Sequence, residues 1–265
     1  MKIGIVCYPT FGGSGVLATE LGIELSKKGY EIHFITYNQP VKLELLSNKV
    51  HYHEVMVPDY PLFHYQPYEL ALSTKVVDMV KKHEIELLHV HYAIPHAYAA
   101  YMAKNMLKYE GINIPVVTTL HGTDITLVGS HPSYKAAVEF SINKSDAVTA
   151  VSESLKKDTE ELFSIDTTIE VIPNFINLEK YPLERKEKTR SIIAENDEKI
   201  ICHISNFRKV KRIDDVINIF YNINKKIPSK LMMVGEGPEK ANAEKLCKKL
   251  KIKDNVFFFG NTNET

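Results

Sequence analysis

Residues 3–35 read IGIVCYPTFGGSGVLATELGIELSKKGYEIHFI, and this stretch sets the architecture. Ile3 to Cys7 is an apolar run of strand length, followed by a glycine cluster at Gly12, Gly13 and Gly15. Val16 to Lys28 has the spacing of an amphipathic helix, Gly29 and Tyr30 stop it, and Ile32 to Ile35 is a second apolar strand. That is a βαβ unit with a glycine loop at its first turn, the place where α/β sheets bind phosphate. Gly13, Gly15 and Ala18 fit G-x-G-x-x-A, a pattern that is also met in plain tight turns. Bare backbone there lets N–H groups and the helix N-terminus approach an anion. A dinucleotide site also needs an acid at the end of the second strand to hold the ribose hydroxyls. That strand runs out through Thr36, Tyr37 and Asn38 without a carboxylate, which disfavours a dehydrogenase.

Outward from this unit, strands and helices alternate. Strands are expected at Val50 to Val57, Ile85 to Val90, Pro115 to Leu120, Ala147 to Val151 and Thr168 to Ile172. Helices are expected at Tyr68 to Lys82, with Leu70, Val76, Val77 and Val80 on one side, and at Pro95 to Tyr109 and Ser133 to Asn143. A further helix, Ser152 to Leu162, starts with a serine cap. This order predicts a mostly parallel sheet covered on both faces. Residues 1–177 form the expected first domain and the charged segment 178–198 a linker with a short exposed helix. In 199–265 the alternation restarts: strands Ile200 to Ser205, Lys230 to Val234 and Val256 to Phe259, helices Ile213 to Lys225 and Glu239 to Leu250. Three strands and two helices are about half of a mononucleotide-binding sheet. The expectation is therefore more chain beyond Thr265, or a partner, a second copy included, to cover the apolar faces.

Composition narrows the classes of function. Of 265 residues, 44% are hydrophobic and 25% charged, ordinary for a globular protein, and the length suits two domains or one large one. Lys+Arg and Asp+Glu both number 33, so charge gives no reason to expect nucleic acid as a partner. No apolar run approaches the ~18 residues that span a bilayer. Cys7, Cys202 and Cys247 are far apart, with Cys7 and Cys202 in strands expected to be buried, and they read as reduced core residues of a cytoplasmic protein.

Ligands of such sheets bind outside the carboxyl ends of the strands. Besides the glycine loop, three loops there carry unusual residues. His89, His91, Tyr92 and His96 follow one strand; two histidines on one strand face allow a zinc site, but no cysteine or carboxylate in that loop completes it, and hydrogen-bonded histidines are the simpler reading. Thr119, His121, Gly122 and Asp124 follow another strand, and a turn that needs glycine and aspartate has no need of a histidine. In the second domain, Arg208, Lys209, Lys211 and Arg212 follow a strand end and suit a diphosphate, although such charge runs are also common on solvated surfaces. Gly235-Glu236-Gly237-Pro238 is a second glycine turn.

Taken together, Gly12-Gly13, the loop from His121 to Asp124, Asn174 after Val-Ile-Pro, the basic loop with Lys211, and Gly235-x-Gly237-Pro238 occur in the order found in retaining glycosyltransferases of family 4. The chain resembles that family along its whole length. The resemblance implies a GT-B fold, two Rossmann-like parallel-sheet domains facing a cleft, the second incomplete here. CYPTFGGSG, HVHYAIPHA, TTLHGTDIT and ISNFRKVKR resemble the branch that transfers N-acetylglucosamine from UDP-N-acetylglucosamine to L-malate, opening bacillithiol synthesis. On that reading Gly12, Gly13, Asn174, Arg208, Lys211 and Gly235 bind the donor, Ser14, Tyr92 and Thr119 hold the acceptor, and His121, Arg208 and Lys211 act in catalysis. The two cations replace a metal, so neither metal nor other cofactor is implied. Ser205-Asn206-Phe207 and Lys211-Arg212 depart from the family's Gly-Arg-Leu and Lys-Gly, which moves the arginine to Arg208. The family's paired glutamates would lie beyond Thr265, so these residues alone are expected to be inactive or very weak. A family 4 transferase with another acceptor, and a non-catalytic sugar-nucleotide-binding fragment, are the other readings.

Overall fold

The computed structural model describes residues 1–10, 13–41, 43, 48–59, 61–180, 187–195 and 197–260. They form two compact units, Met1–Ile176 and Asn177–Thr265.

In the first unit seven strands make one parallel sheet: β1 (Lys2–Val6), β2 (Glu31–Thr36), β3 (Val50–Glu54), β4 (Leu87–His91), β5 (Val116–Leu120), β6 (Ala147–Ala150) and β7 (Ile169–Val171), in the order β3-β2-β1-β4-β5-β6-β7. Its helices are α1 (Ser14–Lys27), α2 (Tyr68–His83), α3 (Tyr98–Tyr109), α4 (Pro132–Asn143) and α5 (Glu153–Leu162). Successive residues of β1 feed opposite faces: Ile3, Ile5 and Cys7 join a core with Ala18 of α1, while Val6 joins Leu72, Val76 and Val80 of α2 and Ala103 and Leu107 of α3. A sheet so covered is why Ile3 to Cys7 reads as a continuous apolar run. Strand order reverses between β1 and β4, and the loops leaving those two strands open the crevice where such sheets bind ligands.

Two local expectations shift. The buried stripe of α2 is Leu72, Ser73, Val76, Met79 and Val80, and Leu70 is exposed, because the i, i+4, i+7 spacing that meets the sheet starts at Leu72. Helix α3 begins at Tyr98 rather than Pro95, since Ala93–Ala97 makes a π-helical turn with Ile94 extended inside it. Ser152 caps α5 as expected, its Oγ accepting from the Leu155 N–H at 3.2 Å.

The second unit contains α6 (Glu187–Ile193), β8 (Lys199–Ile204), α7 (Ile213–Asn224), β9 (Ser229–Val234), α8 (Lys240–Lys249) and β10 (Val256–Gly260). Its strands pair in parallel in the order β10-β9-β8. Leu231 and Met233 of β9 pack with Ile217 and Phe220 of α7 and Ala243 and Cys247 of α8 around Phe207, which is fully buried. Cys202 is exposed on β8 among the described residues, because β8 is the edge of this sheet, whereas Cys7 and Cys247 are buried. Within the charged segment, residues 181–186 and 196 lie outside the described residues, and α6 ends on the buried pair Ile193 and Ala194.

The loop after β8 is shaped by the loop after β9. The Phe207 N–H donates to the Glu236 carbonyl at 2.8 Å, and the Glu239 N–H to the Phe207 carbonyl at 3.0 Å. Gly235 has φ 128°, and a Cβ there would stand 1.9 Å from the Ser205 carbonyl oxygen. Only glycine permits that approach. Gly235→Ala is therefore expected to destabilise this unit by on the order of 2–4 kcal/mol, read as a lowered urea midpoint.

Candidate active site

The crevice at the strand reversal is built by three loops. After β1, the chain turns into α1, whose N-cap Gly13 has φ 60° and no side-chain hydrogen bond. Among the described residues neither an acid nor a capping side chain occupies the first turn of α1, so the positive end of its dipole is not offset there and favours an anion. Gly15 lets this turn close on the strand end, since a Cβ there would lie 2.3 Å from the Tyr8 carbonyl oxygen. Gly12 lies outside the described residues.

Ser14, buried at the start of α1, meets the loop after β4: its Oγ is 2.7 Å from the Tyr92 hydroxyl. Tyr92 has φ 82°, a left-handed conformation rare for a bulky residue and found most often at functional sites. Asp124, 2% exposed, turns back from the loop after β5 and accepts from the Ala93 N–H at 2.9 Å and the His121 N–H at 3.1 Å. Burial pushes its carboxyl up while those backbone donors hold it down.

Beneath Tyr92 lies a column of imidazoles. His89 and His91 stack at 4.7 Å, and His91 stacks in turn on His121 at 5.1 Å. His91 Nδ1 and His121 Nε2 are 2.8 Å apart, and His96 Nδ1 donates to the His91 carbonyl at 2.6 Å. Among the described residues His91 Nε2 is buried without a partner. An orphaned buried N–H is a rarer defect than a bare ring nitrogen, so the shared proton sits on His91 Nδ1 and points to His121. His121 is then left as a hydrogen-bond donor at Nδ1. Burial holds His89, His96 and His121 down to about 4 and His91 well below its usual value, so the column is neutral at pH 7. Thr119 supports it from β5, its hydroxyl 2.8 Å from His89 Nε2 and 2.7 Å from Thr149 Oγ1.

A cavity of about 510 Å³ opens beside these loops, lined by Tyr8, Tyr92, Tyr98, Tyr134, Glu69 and Asp124 among others. Its lining combines aromatic faces, hydroxyls and carboxylates, a chemistry suited to a polyhydroxylated ring, and includes no cation. Tyr8 could have been singled out from its place at the end of the central strand. Glu69 and Tyr134 come from helix starts and carried no such signal.

Ser14, Tyr92, Thr119 and His121 are thus brought together with Gly13. Asn174 is not: it lies exposed beyond β7, at the far side of the sheet from β1. In the second unit Arg208, Lys209, Lys211 and Arg212 are all exposed. Arg212 is bound to Asp215, while Arg208 and Lys211 have no acidic partner among the described residues. Gly235 touches the backbone of this loop, and its structural part is to shape it.

Residues 11–180 match the model of glycosyltransferase family 4, and residues 184–265 that of the glycosyl transferases group 1. The chain belongs to glycosyltransferase family 4. It is a glycosyltransferase with the GT-B fold. It is 46% identical over 261 residues to the N-acetyl-alpha-D-glucosaminyl L-malate synthase of Bacillus anthracis, covering 98% of this chain and 68% of that protein. An uncharacterized glycosyltransferase of Methanocaldococcus jannaschii is 26% identical over 99% of this chain and 70% of its own length. Among solved structures, HepE of Anabaena in complex with UDP-glucose superposes with a TM-score of 0.74 at 16% identity, covering 99% of this chain and 70% of that one, which speaks for the fold alone. No helix among the described residues is long and apolar enough to cross a membrane.

The neutral histidines make stability depend on pH. In the unfolded chain they titrate near 6.5, so as pH falls the unfolded state takes up protons first. Stability present above 6.5 is lost progressively as pH falls toward about 4, the value at which the folded histidines protonate. The urea midpoint should drop between about pH 7 and about pH 5; an unchanged midpoint would contradict a buried, neutral column.

Proposed function

We propose that the transferase moves N-acetylglucosamine from UDP-N-acetylglucosamine to L-malate with retention at the anomeric carbon. The observation that carries this is the 46% identity, along 98% of the chain, to a protein named for that product. The uncapped start of α1 beside the Ser14–Tyr92 pair gives a small anionic acceptor a place that the cation-free cavity does not. The cavity itself receives the sugar. His121, kept neutral and positioned by His91, donates its Nδ1 proton in a hydrogen bond to a donor-sugar oxygen near the anomeric carbon. Thr119 acts through His89 and belongs to the support of this column. Asn174 retains its proposed contact with the donor.

In the reaction, the acceptor hydroxyl oxygen bonds to the anomeric carbon as the bond from that carbon to the phosphate oxygen breaks. The departing oxygen takes the hydroxyl proton, so no side-chain base is required. Negative charge grows on the leaving diphosphate, and Arg208 and Lys211 offset it, the electrostatic work that a metal does elsewhere. We accordingly propose that transfer needs no metal or other cofactor. A cytoplasmic setting is supported by the three free cysteines.

An acceptor screen with UDP-N-acetylglucosamine in the full-length enzyme tests the assignment. Malate should release UDP and yield the glycoside, and failure of malate while another hydroxy acid or a glycan reacts would overturn the acceptor and leave the family intact. Lys211→Ala should cost ~2–4 kcal/mol of transition-state stabilisation, seen as a fall in kcat/KM, whereas full activity would remove Lys211 from the phosphate site.

A further inference from the structure

A second cluster of titratable groups sits at the other end of the sheet, at the amino-terminal ends of β2 and β3. The parallel register sets His33 beside His51 and Ile35 beside His53, and Glu31 precedes His33 by two residues, so Glu31, His33, His51 and His53 share one face. His83, in the last turn of α2, covers them at 4.8 Å from the His33 ring and 4.7 Å from the His53 ring. None of these residues takes part in the site described above.

The arrangement is unusual in its hydrogen bonding. His33 is fully buried, and among the described residues neither His33 Nε2 nor His51 Nε2, both buried, has a partner in hydrogen-bonding geometry. Both nitrogens face one oxygen, Glu31 Oε1, at 3.3 and 3.2 Å. Bonds of ~2.0–2.1 Å to a tetrahedral ion put neighbouring ligand atoms about 3.3 Å apart, so these spacings are those of ligands around one ion. His33 Nδ1 lies 2.9 Å from His53 Nε2. A proton on His33 Nδ1 donated to His53 leaves His33 Nε2 bare, the orientation that a ligating histidine receives from a partner on its other nitrogen. Lys2 donates to the His83 carbonyl at 2.9 Å, with Glu84 3.6 Å away.

We propose that Glu31, His33 and His51 bind one divalent first-row transition ion of the zinc class, with His53 as a positioning residue for His33. Two imidazoles and one carboxylate are the donor set for Zn²⁺, Co²⁺ or Ni²⁺ rather than for Mg²⁺ or Ca²⁺. Glu31 and His51 side chains are 36% and 38% exposed, so an ion has access and a water can complete the coordination. The ion would pin the edge strand β3 to β2, far from the reacting sugar, and the proposal does not depend on which acceptor the enzyme uses.

The test uses untagged full-length enzyme stripped with a chelator. Calorimetric titration with Zn²⁺ should show one ion per chain bound in the low micromolar range or tighter, and the thermal midpoint should rise with added Zn²⁺. Co²⁺ should give the visible absorption of a tetrahedral ion. The paired change Glu31→Gln with His51→Gln, at half-exposed positions that fold without the ion, should weaken binding at least about tenfold, abolish the thermal gain and leave transfer activity unchanged. Absence of stoichiometric Zn²⁺ binding, or equally tight binding by the double variant, would overturn the site.

Discussion

The buried carboxylate of Asp124 is the constraint on which the first unit's site depends. It accepts one N–H from the loop after β4 and one from the loop after β5, and so fixes the distance between Tyr92 and His121. Without it two buried N–H groups would lose their acceptor, at about 1–3 kcal/mol each, and the two loops would be free to part. The histidine column hangs from the same tie. His91 can hand its proton to His121 only while the turn after β5 keeps the two rings 2.8 Å apart at their nitrogens. A single carboxylate thus sets both the shape of the crevice and the protonation of the group that faces it.

The second unit reaches the same end by different means. There no buried charge among the described residues holds the loop after β8; instead Phe207 anchors it in the core and Gly235 allows the neighbouring loop to rest on its backbone. Arg208 and Lys211 are consequently presented to solvent by a stiff support, with no acid among the described residues to neutralise them. Preorganised charge of that kind is what a leaving diphosphate requires, because little reorganisation remains when the charge develops.

Most of the architecture was legible in the order of residues because strand runs, glycine stops and helical spacing are local signals. The glycine loop, the turn at His121 and the basic loop at Arg208 were legible for the same reason. What local pattern could not carry was partnership across the sheet. Thr119 is expected to hold the acceptor, and the sequence gives no sign that its hydroxyl is engaged twice in the fold, by His89 and by Thr149. Gly235 reads as a tight turn in the sequence, and only the fold shows that the backbone of another loop rests against it. His33, His51, His53 and His83 are spread over fifty residues, and only the register of β2 against β3 and the last turn of α2 assemble them. Leu70 was misplaced because apolar residues alone do not say which i, i+4 set meets the sheet.

Tyr92 gives the site an evolutionary signature. At φ 82° its backbone would be more comfortable as glycine, and replacement by glycine would remove a conformational penalty of on the order of 1–3 kcal/mol. The same change would delete the ring that walls the cavity and the hydroxyl that meets Ser14. Selection for folding alone would drift toward glycine here, and selection for turnover would resist it. Position 92 is accordingly where a relative that has lost its activity should first betray the loss.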